Sequence, residues 1–146
     1  MKMLTRTTIL LFAALFLLSS GLAGKEVFAL TKVTELNEKD YRSTINASEK
    51  CIVMYYTEAW KYTAEGKAFL KELQNKIPTA QYFTLDLKKI KNKAEVDKIF
   101  AEDISGDKIP AFVGYAKGRV WIRKEGAPLT EKEANEAVKK FVTTNK

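Results

Sequence analysis

The run "CIVMYYT", residues 51 to 57, carries no charge and no turn-forming residue. In an extended chain successive side chains point to opposite faces, so a strand this uniformly apolar has to be covered on both sides. That places it at the centre of a sheet with further layers above and below, and the flanking segments must supply those layers.

They do so in alternation. "KVTELN" (32–37) alternates like a short strand, and "NEKDYRSTINAS" follows as a helix with Asn37 as N-cap and Asp40 in the first turn. After the central strand, Ala68, Phe69, Leu73 and Ile77 recur at helical spacing between Ala64 and Ile77, and Pro78 closes that segment. "AQYFTLDL" (80–87) reads as a strand. "NKAEVDKIFAEDI" (92–104) reads as a helix with Ala94, Val96, Ile99, Phe100 and Ile104 as its inner stripe. Two strand-like runs then flank Lys117-Gly118 as a hairpin. Thr130 and Glu133 have capping-box spacing at the start of a last helix that runs to about Val142. The order β-α-β-α-β-α-β-β-α defines an α/β chain: a central mixed sheet with helices on both faces, because parallel strands need a crossover helix to return the chain.

Ahead of this domain stands "MKMLTRTTILLFAALFLLSSGLAGKEVFA", with a basic start, an apolar centre from Ile9 to Leu18 and a small-residue end. That is a secretory signal pattern over residues 1–29, with Val27 and Ala29 as the small residues before the cut and the domain occupying 30–146. Thr7 to Gly24 is also uncharged for 18 residues, the short edge of a membrane span, so an uncleaved anchor is the competing reading. No cysteine lies near the cut, which excludes a lipid-modified N-terminus. Either way the domain is expected outside the cytoplasm.

Losing Lys2, Arg6, Lys25 and Glu26 lowers 25 basic and 18 acidic residues to 22 and 17, so the formal charge falls from +7 to +5. The densest basic stretch, "LKKIKNK" (87–93), reads as a solvated loop, and no nucleic-acid-binding module is present. Histidine is absent and cysteine occurs once, which excludes histidine-based triads, zinc fingers, haem attachment through paired cysteines and an intrachain disulfide. No metal or other cofactor is implied. Glu102 and Asp103 are adjacent on a predicted helix and point in different directions, with no third ligand beside them.

The ordered pieces "CIVMYYTEAW", "KIPAFVGYAKGRV" and "KEGAPLTEKE" resemble the thioredoxin-like superfamily over nearly all of residues 30–146. In that family the tryptophan precedes Cys-x-x-Cys, whose thiols exchange with substrate disulfides. Here Trp60 matches the tryptophan, but Lys61 and Ala64 stand at the two cysteine positions. Tyr55 stands where the resemblance implies a buried acidic residue. Pro110 matches a proline that follows a cis peptide bond and shapes a groove for extended peptide, with Ile109 pairing to that peptide through its backbone.

The resemblance therefore implies a non-enzymatic protein whose groove, bordered by Trp60, Tyr62, Ile109 and Pro110, holds an extended peptide or partner protein. More narrowly, the chain is similar in size and layout to small exported thioredoxin-like proteins of Gram-positive bacteria, including bacteriocin transport accessory proteins. The alternative is a residual redox protein using the lone Cys51. That residue lies nine positions before Trp60 in a predicted central strand and reads as buried.

Overall fold

A computed structural model describes residues 32 to 145, so the signal-peptide reading lies outside the described residues. Five strands form one mixed sheet: β1 (Thr34–Glu35), β2 (Cys51–Tyr56), β3 (Gln81–Asp86), β4 (Ala111–Ala116) and β5 (Arg119–Glu125). Their spatial order is β1-β3-β2-β4-β5, with β3 parallel to β1 and β2, and β4 antiparallel to β2 and β5. Four helical segments cover the sheet: α1 (Tyr41–Ala47), α2 (Thr63–Lys76), α3 (Lys93–Lys98, continued by a π-helical turn Ile99–Ile104) and α4 (Glu131–Thr144).

Every residue of β2 is buried, as its unbroken apolar run requires. Cys51, Val53 and Tyr55 face a core shared with Ile45 of α1 and Ile99 and Ile104 of the π-helical turn. Ile52, Met54 and Tyr56 face the opposite core, made with Phe69, Leu70 and Leu73 of α2 and with Val138 and Phe141 of α4. Two hydrophobic layers thus meet on one strand.

Local details depart from the sequence reading in instructive ways. Only Thr34–Glu35 of the 32–37 segment forms a ladder. The first helix begins at Tyr41, and Asp40, expected inside its first turn, is the N-cap residue, without a side-chain cap bond. Asn37 instead accepts from the backbone of Lys39 at 2.9 Å and Asp40 at 3.3 Å, closing a turn ahead of the helix. On α2, Ala68 is exposed and Leu70 is buried in its place, because the inner stripe runs through Gly66, Phe69, Leu70 and Leu73. On α3, Ala94 is exposed, and the single helix expected over 92–104 changes pitch at Ile99. Thr130 accepts from the Glu133 backbone at 3.2 Å as a capping box requires, but the Glu133 carboxylate reaches Leu129 N at 2.8 Å, one residue further out.

The β4–β5 hairpin turns on Lys117 and Gly118, with φ of 49° and 77°. Positive φ at both central residues is the type I′ geometry that suits strand twist, and Gly118 meets it without strain. Further along, Tyr115 opposes Val120 while Gly114 opposes Ile122, leaving Trp121 as a bulged extra residue. The bulge turns Trp121 and Ile122 toward the same layer, where the indole lies edge-on to Phe141 at 5.9 Å. Gly114 makes room for it: a Cβ there would lie 2.6 Å from the indole and 2.7 Å from Ile122. Both neighbours are held by packing. Gly114→Ala is therefore expected to destabilise the fold by about 1–3 kcal/mol, read as a lower urea midpoint; an unchanged midpoint would show that the hairpin can shift away from the new methyl.

Candidate functional site

The loop after β2 is built from short turns. Trp60 N donates to Thr57 O at 3.1 Å, Thr63 N to Trp60 O at 3.2 Å, and the Thr63 hydroxyl to Thr57 O at 2.7 Å. These bonds fix a loop whose tryptophan is 50% exposed. Lys61 extends into solvent with its ammonium 5.1 Å from the Tyr62 ring centroid, a cation–π distance. Ala64 is exposed in the first turn of α2. Glu58 and Lys67 pair across the loop at 2.7 Å, and their exposure keeps that pair weak.

Ile109-Pro110 is a cis peptide, with Pro110 buried and Ile109 half-buried ahead of β4. α2 rests on it through Gly66, where a Cβ would approach Pro110 Cγ to 2.8 Å. Glycine lets the helix come this close. Since Gly66 N also donates to Tyr62 O at 3.0 Å, the Pro110 segment and the Trp60 loop are joined through one residue. Three surface clefts, of about 350, 280 and 230 Å³, lie elsewhere.

Beneath the loop, Tyr55 does not carry a charge but joins a buried polar chain. The Tyr115 hydroxyl donates to Asp103 Oδ1 at 2.7 Å, so its only proton is committed and the Tyr55 hydroxyl, 2.6 Å away, donates to Tyr115. Arg42 Nη1 donates to the same carboxylate at 2.9 Å. Nη2 lies 2.8 Å from Oδ2, an ion-pair contact too misaligned to count as a hydrogen bond. Arg42 Nε reaches Glu95 at 3.2 Å, and the Tyr41 hydroxyl donates to the same Glu95 oxygen. The Tyr41 bond, helped by Arg42, holds the Glu95 carboxyl below its usual range. Arg123 closes the end by donating to the carbonyls of Asp103 at 2.7 Å and Glu102 at 3.0 Å.

Burial pushes Tyr55 and Tyr115 well above the ordinary phenol range, so neither hydroxyl releases its proton near neutrality. In the sequence Asp103 stands beside Glu102 as one of two adjacent helical acids with no third ligand. Glu102 is indeed exposed, but Asp103 is buried with Ile99 and Ile104, lying four residues after Ile99 and so on the same inward side. The one sequence cue was the tyrosine in each of two apolar strands, two phenols that needed a buried partner. Asp103→Ala strands Tyr115 and Arg42 together. The expected cost is about 3 kcal/mol, at the low end for a broken buried pair because Arg42 is a third exposed, measured by denaturant unfolding.

Cys51 opens β2 with no exposed surface, and burial pushes its thiol up to about 11 against a small opposing pull from Ser48. The reactive form of a cysteine is the thiolate, and burial disfavours that form here at neutral pH. A raised folded-state value means that stability is full below the ordinary value of 9.0 and falls as pH climbs through about 11. Two outcomes are expected: aromatic disulfide reagents label the chain at neutral pH only after denaturation, and melting temperature drops over that alkaline window, less so in Cys51→Ala.

No protein-family model matches the sequence, and no curated protein does. Solved structures do match. Oxidised thioredoxin from Plasmodium falciparum is 17% identical at a TM-score of 0.58, over 76% of this chain and 99% of that one. Thioredoxin f from spinach chloroplast is 17% identical at 0.58, over 80% and 96%. Mitochondrial thioredoxin 3 from Saccharomyces cerevisiae is 19% identical at 0.54, over 74% and 94%. The chain has the thioredoxin-like fold. With Cys51 as its one cysteine, and Lys61 and Ala64 after Trp60, it carries that fold without a Cys-x-x-Cys pair.

Proposed function

We propose that the protein is a non-catalytic thioredoxin-like domain that acts outside the cytoplasm and holds an extended peptide or partner protein at the edge bordered by Trp60, Tyr62, Ile109 and Pro110. The observation that carries this reading is Trp60, half exposed on a loop pinned at both ends. A rigid, solvent-facing aromatic gives binding energy at little conformational cost, which is why such residues anchor interfaces. Lys61 and Ala64 leave no thiol there to exchange, and the sealed Cys51 lies away from the loop at the start of β2.

The signal-like N-terminus supports export or anchoring at a Gram-positive cell envelope, and the size and layout support an accessory role in peptide secretion, bacteriocins included. An extended array of peptides from exported substrates tests the reading. Bound peptides are expected to lose at least about tenfold in affinity in Trp60→Ala, with Tyr62→Ser also weakened. The chain should fail to reduce insulin. Equal binding by wild type and Trp60→Ala would sink the groove, and insulin reduction abolished in Cys51→Ser would replace it with a redox role.

A further inference from the structure

The cleft of about 230 Å³ lies between the outer side of α2 and the loop leading into α4. Phe69 and Pro128 are buried at it, and Leu129 stands over it with 55% of its surface exposed, the highest value among the described large hydrophobic residues. Its only charged lining residues are Glu65, Glu72 and Glu131. The chain as a whole has a surplus of seven positive charges, and the two larger clefts named above each mix lysine or arginine with glutamate. Here every charge is negative. Glu35, Glu49, Glu58, Glu95 and Glu102 pair with a cation, while these three carboxylates, like Glu38, Glu125, Glu133 and Glu136, have no ion pair among the described residues; Glu65 and Glu131 lie in the first turns of α2 and α4.

Small-molecule pockets usually run to about 300–1,000 Å³. This cleft is smaller, suited to one inserted side chain from a larger partner. We infer that it is a second docking site, separate from the Trp60 loop, for a basic segment of a partner protein that inserts one bulky apolar side chain beside Leu129 while its lysines or arginines meet Glu65, Glu72 and Glu131. The unpaired carboxylates draw the segment in, and the apolar floor holds it. A second copy of this chain, itself basic, is the alternative occupant, and sedimentation separates it from a partner protein.

The test uses the purified full chain and short labelled peptides, each with a central leucine flanked by lysines, serines or glutamates, read by fluorescence anisotropy. The lysine peptide is expected to bind and to weaken with added salt. Its affinity should fall about tenfold or more in the double variant Glu65→Lys/Glu72→Lys and again in Leu129→Ser, each variant's fold being checked by circular dichroism. Trp60→Ala should bind it as wild type does, which separates this site from the peptide groove. The inference is overturned if no lysine peptide binds, if the glutamate peptide binds equally, or if binding is lost in Trp60→Ala and retained in the charge-reversed chain. Dimerisation in sedimentation that Leu129→Ser abolishes would also overturn it, by making a second copy the occupant.

Discussion

Burial of β2 on both faces is the constraint on which the rest of the molecule depends. Its odd-numbered residues belong to one core and its even-numbered residues to the other, so neither helical layer can be displaced without exposing part of the same strand. A strand of this kind also fixes where its own ends emerge. The loop that carries Trp60 leaves from the buried end at Tyr56, so the most exposed aromatic among the described residues follows directly on a fully buried strand.

The polar chain from Tyr55 to Arg42 occupies a single core, on the side of α1 and α3, while the α2 and α4 side is closed mainly by aromatic edges and aliphatic packing. This asymmetry matches what each layer supports. The apolar side presses α2 against Pro110 and sets the loop. The polar side ties α1, the π-helical turn and β4 to a common carboxylate, which fixes their relative positions by direction as well as by volume.

Much of this was legible in the sequence because periodicity reports burial. The β2 run, the helical spacing of Phe69 and Leu73, the Lys117-Gly118 turn and the Thr130 cap all appear where local chemistry demanded them. Ala68 misled because a small residue is tolerated on either side of a helix, and spacing alone did not choose between it and Leu70. Asp103 was hidden for a different reason: its i, i+4 spacing from Ile99 already puts it on the inner side, but a carboxylate reads as solvent-facing until Arg42 and Tyr115, distant in sequence, are seen to hold it. The cis bond before Pro110 was reached through resemblance, and the bulge at Trp121 came only from the register of two strands.

The solitary, sealed Cys51 has a consequence for how the molecule experiences its surroundings. A protein whose cysteines pair and unpair has two covalent forms, and its stability follows the ambient potential. With one thiol buried in the core beneath α1 and the π-helical turn, this chain has no intrachain disulfide to make or break. The fold of the described residues therefore rests on packing and hydrogen bonds alone in a reducing or an oxidising compartment.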